Sequence, residues 1–437
     1  MIAFVTLLLG LISGVYPIEV AVGGPVAAVE LTLDGAAAGR LTSPPWIARV
    51  DLGPDLRPHQ LVARALDARG GEIARATQWI NLPRPPAEVQ LLLEKDGDGV
   101  PRNARLTWQS VSGVKPLSIS LTLDGEPLTV GKAGRAALPD RDLKSLHLLA
   151  ADLWFPPGIS AHQDAAYGGE YGGEVATELT AVPVRLAAGR SLPAPDQLGG
   201  WFAAGGRPVP AAAVEEGPGK VTVVCLPTAT EILDKLMPGR KRGMTFPNLR
   251  TQMLLGPQDG FQYMSLSSIP FHDSRIPSDL FQISPPLTWA DGGVFYLLTN
   301  KRLMNEPTEK QRRIADAVAV AGLQAAAENH RRAVVLVLGR EIADSSRYDP
   351  ATVRRYLQTI HAPLFVWSLY GLDTPSARAW GRTDDVSSLA KLEQAVARLR
   401  TELDGQRIVW LDGRLLPQEV ALGPAASGVV DLVGRVP

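Results

Sequence analysis

Four stretches in the C-terminal half of the chain are apolar almost without a break: VTVVCL from Val221 to Leu226, AVVLVL from Ala333 to Leu338, APLFVWSL from Ala362 to Leu369, and RIVWL from Arg407 to Leu411. A strand with one wet face alternates apolar and polar positions, whereas a strand buried on both faces does not, so these runs predict central strands of a covered sheet. Between them the apolar positions take helical spacing. PTEKQRRIADAVAVAGLQAAAENH opens on Pro307, a residue suited to a helix start, and sets Ile314, Val318 and Ala321 on one stripe. DPATVRRYLQTIH has Asp349 as a cap and Pro350 in the first turn. SSLAKLEQAVARLRTEL, from Ser387, carries Leu389, Leu392, Val396 and Leu399 on one face. Strands alternating with helices predict a doubly wound, mostly parallel α/β sheet for residues 220–437.

The N-terminal half has the other periodicity. VELTL and ISLTL alternate as strands, and each runs into an Asp-Gly turn. LTLDG occurs at Leu31–Gly35 and again at Leu121–Gly125, 90 residues later. PDLRPHQLVARALD, from Pro54, and PDRDLKSLHLLAADL, from Pro139, place a polar turn before an alternating run in each copy, with His59 and His147 at nearly matching places. A duplicated module is the reading, against chance recurrence of five common strand and turn residues. It predicts two all-β, Ig-like sandwiches at 17–84 and 85–219. NLPRPPAE, from Asn81 to Glu88, is the expected joint between them. A second joint is expected at about 187–220, where Gly, Pro and Ala dominate, with GRPVPAAAVEEG inside it offering a hairpin to the second sandwich.

At 437 residues the chain can hold several domains that each bury a core without staples. Its 44 Lys and Arg balance 45 Asp and Glu, so no net field draws it to nucleic acid or to an anionic membrane. Cys225 is the sole cysteine, which excludes an intrachain disulfide and a Cys-based zinc site; in a Val-rich run it is expected in a core. The N-terminus, MIAFVTLLLGLISGVYP, is apolar from Ile2 to Ile12, too short to span a bilayer and of the length of a secretory h-region. Residues 1–16 are therefore expected to be a signal peptide or apolar anchor, exporting the protein to the periplasm or beyond. No Lys or Arg precedes the run and the small-residue cleavage pattern is poor, so a buried first strand and a misplaced start codon stay open as alternatives.

The segment RRAVVLVLGREIADSSRYDPATVRRYLQTIHAPLFVWSL, in this strand and helix order, resembles the bacterial von Willebrand factor type A-related proteins over about half of the chain. The upstream VELTLDG, TSPPW and VDLG resemble the sandwiches that precede this domain in such proteins. The resemblance implies a metal site for magnesium or a similar ion, built from an Asp-x-Ser-x-Ser loop after the first strand, a Thr, and an Asp after the fourth strand. The first loop here reads Leu226-Pro227-Thr228-Ala229-Thr230, keeping two hydroxyls and losing the carboxylate. The Thr position reads Gly292-Gly293-Val294, and the last Asp aligns with Arg340. A permanent cation stands where an anionic ligand is needed, so no metal or other cofactor is expected. A slip of the alignment would bring Asp291 or Thr288 back into the site. The sharper expectation is that Arg340 bonds the hydroxyls of Thr228 and Thr230 or a partner's carboxylate. The plainer one leaves it on a solvated loop near Glu341 and Asp344.

Other candidates carry less. DGDG from Asp96 has Thr107 where a calcium loop needs Glu, and reads as a turn. YGGEYGG, Tyr167 to Gly173, reads as a hairpin tip or a contact loop, and Arg240, Lys241 and Arg242 as a solvated turn. No two of the six histidines have the spacing of a helical zinc site, and no nucleophile elbow or phosphate-binding glycine motif is present. The expected function is a non-enzymatic binding or scaffold protein, working through a metal-free α/β domain on a protein partner. Its membrane contact would be confined to the N-terminal segment. The alternatives are a metal-dependent adhesion or assembly domain with a rearranged ion site, and an enzyme whose site no motif marks.

Overall fold

The computed structural model describes residues 2–434 except 7, 9, 24, 83–86, 97–99, 111–114, 125, 132–133, 144–145, 156–158, 169–178, 230–258, 269–280, 285–286, 289–311 and 328. The chain forms two compact units: residues 1–83 with 179–437, and residues 84–178.

The larger unit holds the α/β sheet. Its strands are β1 (Gly219–Cys225), β2 (Gly260–Ser268), β3 (Phe281–Ile283), β4 (Arg331–Leu338), β5 (Leu364–Ser368) and β6 (Asp384–Asp385), in the order β3-β2-β1-β4-β5-β6. β1, β2, β4, β5 and β6 run parallel; β3 and the short strand Leu287–Thr288 pair antiparallel with β2. The helices are α1 (Ile314–Ala327), α2 (Pro350–Thr359), α3 (Pro375–Trp380) and α4 (Leu389–Gly405). The apolar runs have the use their patterns predict, because alternate residues serve opposite faces. Val224, Val334, Leu336 and Leu338 pack with α1, α2 and α3, while Val223, Cys225, Val335 and Val337 pack with α4. Asp349 caps α2 by accepting from Thr352 N at 2.8 Å, with Pro350 in the first turn. α4 begins at Leu389, two residues after the Ser387 at which its pattern starts, and is capped by Ser388. The described part of the next helix starts at Ile314, and Pro307 lies outside the described residues.

Two expectations are corrected here. RIVWL does not join the parallel sheet: Gln406–Asp412 pairs antiparallel with Leu179–Leu186 and with Ala211–Glu215 in a separate four-stranded sheet that ends on Val430–Leu432. The partners come from the segment read as a joint and as the end of the second sandwich, so 179–219 belongs with the C-terminus and not with 85–178. Val182, Val184, Phe202, Val409 and Leu411 close a core of their own. An uninterrupted apolar run reports burial on both sides but not which sheet supplies it.

Residues 2–80 form an antiparallel sandwich. One sheet has Ile2–Phe4, Val15–Val22 and Ile47–Asp51; the other has Ala36–Leu41, Ala28–Leu33, His59–Leu66 and Glu72–Ile80. The apolar N-terminus is part of it: Ile2–Phe4 pairs with Val20–Val22, and Ile2, Leu8 and Ile12 enter the sandwich core. Leu11 instead joins Leu56 in the core of α1 and α2, which fixes this sandwich to the α/β region. Asn81 Nδ2 donates to Ile12 O and Arg57 O, its Oδ1 accepts from Ile12 N, and its own carbonyl accepts from Tyr356 Oη at 2.9 Å.

The unit at 84–178 is a second antiparallel sandwich. Arg135–Ala137, Pro101–Ser110 and Ala87–Lys95 form one sheet, and Glu126–Pro127, Ser118–Leu123, Leu146–Phe155 and Ile159–Gly168 the other. The repeat read from LTLDG recurs as structure. Asp34 Oδ2 bonds His59 Nδ1 at 2.7 Å and Asp124 Oδ2 bonds His147 Nδ1 at 2.8 Å, each Asp at positive φ after a strand and each His on the neighbouring strand. Tyr167 is buried against His147, and the rest of the YGGEYGG stretch beyond Gly168 lies outside the described residues.

Candidate functional site

The chain leaves β1 toward β2 on one side, while β4 flanks β1 on the other. In an open parallel sheet such a reversal opens a crevice at the carboxyl ends of the two strands, the usual place for a ligand. The loops that meet there are those of Thr228, after β1, and Arg340, after β4. Leu226 N donates to Val337 O at 3.0 Å, and Thr228 Oγ1 donates to the Arg340 carbonyl at 3.1 Å. Gly339 permits this approach. A Cβ at residue 339 would lie 2.2 Å from Thr228 Oγ1 and 2.4 Å from Ala229 N.

The predicted neighbours Thr228 and Arg340 are thus brought together, but through the main chain. The expected bond from the Arg340 guanidinium to the Thr228 hydroxyl is corrected: Arg340 Nε donates to Tyr370 Oη at 2.9 Å, and the guanidinium lies 5.9 Å from the Tyr370 ring centroid. Tyr370, which follows β5, was not anticipated from the sequence. Thr230, Val294 and Asp291 lie outside the described residues, as do Arg240, Lys241 and Arg242. Thr288 pairs with Gly260 at the amino end of β2, the edge opposite Thr228.

Beside this locus a cavity of about 520 Å³ is bounded by the loop from Glu341 to Asp349, by Ser376 and by Trp380. Its acids face helix starts. Glu341 accepts from Ser376 N and Oγ at 3.0 and 2.6 Å, Asp344 accepts from Ile314 N at 2.9 Å and from Ser346 Oγ at 2.6 Å, and Asp349 caps α2. Backbone and hydroxyl donors from Thr352 hold the Asp349 carboxyl below its usual range. Deeper still, buried Asp316 pairs with Arg313 at 2.7 Å and accepts from Arg347 N and Tyr348 N, which pins the loop from inside. An anion at a helix N-terminus satisfies orphan N–H groups and complements the dipole. These carboxylates therefore order the loop between β4 and α2. Among the described residues no group of three His, Cys, Asp or Glu is placed to hold a metal ion. Cys225 is buried beneath the site, and burial pushes its thiol up to about 12, so it is no nucleophile.

No family model and no curated protein matches the chain. Among solved structures it is similar to the fibronectin(III)-like modules of Clostridium thermocellum CbhA, at 14% identity over 39% of this chain and 94% of that one, with a TM-score of 0.17. The central fibronectin-III array of RIM-binding protein matches at 12% identity over 45% of this chain and 80% of that one, with a TM-score of 0.25. A β-glucuronidase from Ruminococcus gnavus matches at 12% identity over 90% of this chain and 68% of its own, with a TM-score of 0.17. At such scores the similarities carry no argument, and the sandwich description rests on the sheets given above.

Proposed function

We propose that this chain is a non-enzymatic binding or scaffold protein that recognises a protein partner through the carboxyl edge of its parallel sheet, as a von Willebrand factor type A-like domain that works without its ion. One observation carries the reading. The Thr228 hydroxyl, which the resemblance would turn to a metal, is committed to a main-chain carbonyl, and that carbonyl belongs to Arg340, which stands in place of an acidic ligand. Exposed Arg340, held by Tyr370, then offers its guanidinium to a carboxylate of the partner. The two sandwiches serve as spacers or secondary contact surfaces. Balanced charge turns the reading away from nucleic acid.

The test is thermal melting of the full chain with magnesium or manganese at millimolar concentration. An ion that binds the folded state at about 100 times its Kd stabilises by about 2.7 kcal/mol, a shift of several degrees. The expected result is no shift. A rise that chelator reverses would replace this reading with a metal-dependent one.

A further inference from the structure

At the amino half of β5 the sheet has a notch. β6 pairs only with Trp367 and Ser368, so among the described residues Leu364 and Phe365 have no strand beyond them. The space is a cavity of about 300 Å³, a size that small-molecule sites share. Four arginines line it, Arg185, Arg354, Arg382 and Arg398, against two carboxylates, Asp384 and Glu402. Both carboxylates are taken, Asp384 by Arg398 at 3.0 Å and Glu402 by Arg185 at 3.2 Å. Arg354 and Arg382 meet no carboxylate among the described residues. Two guanidinium groups on one cavity repel each other unless an anion joins them.

The fold makes room for one of them. Gly381 ends α3 at a φ of +75°, and a Cβ there would lie 2.1 Å from Arg354 Nη1. The glycine turns the chain toward Arg382 and leaves its empty side to the Arg354 guanidinium. Beside Gln358, the remaining wall is mostly apolar, with Leu357, Phe365 and Trp380 in it.

We propose that this notch is a binding site for a small molecule that joins a dianionic, phosphate-type group to an apolar or aromatic body. A phosphate monoester brings close to two charges and three acceptor oxygens at neutral pH, which matches two arginine forks. The site lies at the other edge of the sheet from Thr228 and Arg340 and does not depend on the function proposed there.

Calorimetric titration of the full chain with inorganic phosphate and with phenyl phosphate tests it. Phenyl phosphate binds one to one, weakens with added salt, and exceeds inorganic phosphate by about tenfold because its ring meets the apolar wall. Arg382→Gln and Arg354→Gln each weaken it by about tenfold or more. Arg382 is exposed, so its variant keeps the parent melting temperature, and Arg340→Gln leaves the affinity unchanged. No heat up to about 10 mM phenyl phosphate, far above what a specific site requires, overturns the proposal. So does an affinity that survives Arg382→Gln within about twofold, well under the expected loss. Equal affinity for the two probes overturns the apolar half of the ligand.

Discussion

Gly339→Ala asks whether the loops after β1 and β4 are locked together. The added methyl would meet Thr228 Oγ1 at 2.2 Å, Ala229 N at 2.4 Å and Thr228 C at 2.6 Å, where ordinary contact starts at 3.4 Å. Two of the three are main-chain atoms, so no rotamer change relieves them, and the loops must part by about 1 Å. Residue 339 is not at positive φ, so the penalty comes from contact and not from backbone strain. Overpacking of this kind costs about 3 kcal/mol, and loss of the Thr228 bond to the Arg340 carbonyl adds about 1 kcal/mol. At about 2–4 °C per kcal/mol the melting temperature should fall by roughly 10 °C in a calorimetric scan. Gly405→Ala is the control. Its Cβ would meet only Arg185 Cγ at 3.6 Å at the end of α4, where alanine favours the helix by up to about 1 kcal/mol, so its melting temperature should hold or rise. A Gly339→Ala protein that melts within about 2 °C of the parent, well inside the shift expected for that cost, would mean the loops do not abut, and the metal-free reading would lose its geometry.

Two other outcomes follow from pairs described above. The bond to Asp124 raises the His147 pKa above 6.5, so the pair stabilises fully below pH 6.5 and its contribution is lost as pH rises through the higher folded value. The melting difference between the parent and Asp124→Asn should therefore be larger at about pH 6 than at about pH 8.5, and a difference that grows with pH contradicts the assignment. Asn81→Ala removes three hydrogen bonds that tie Ile12 and Arg57, from a buried residue at a φ of 55°. It should cost on the order of 3 kcal/mol and speed proteolysis near residue 12; unchanged protease resistance there would remove the clamp from the account.

How much of this could be read from the chain depended on whether the signal was local. The cap and proline at Asp349-Pro350 and the apolar runs of β1, β4 and β5 each state their structure within ten residues, and each is found in place. The Asp and His partners were visible only as matching positions in a repeat, and their bond needed the strand register that pairs Leu33 with Leu61 and Leu123 with Leu149. RIVWL misled because its partners lie near residues 180 and 213, and nothing in five apolar letters encodes that separation. Thr228 and Arg340 could be placed together because parallel strands bring their carboxyl ends to one edge. Tyr370 could not, since its role depends on where the arginine side chain turns after the backbone has closed the site.

The two sandwiches share some features and differ in others. Both copies keep an aspartate at positive φ, a histidine on the next strand, and a bond of 2.7 or 2.8 Å between them. Asp34 shows what such a bond does: burial alone would raise its pKa, but the His59 bond, the Gln60 N–H and the nearby positive charge of His59 and Arg57 together lower it, so the carboxylate stays ionised in a turn that needs its acceptors. The brace is thus internal to the fold of each copy. The first sandwich also reaches into the α/β region: Leu11 and Leu56 enter the helical core, and the Asn81 carbonyl receives Tyr356 of α2. Weakening Asp34 should loosen the first sandwich from within, whereas Tyr356→Phe, which removes the hydroxyl that donates to the Asn81 carbonyl, should loosen its grip on the α/β region while the Asp34 to His59 bond persists.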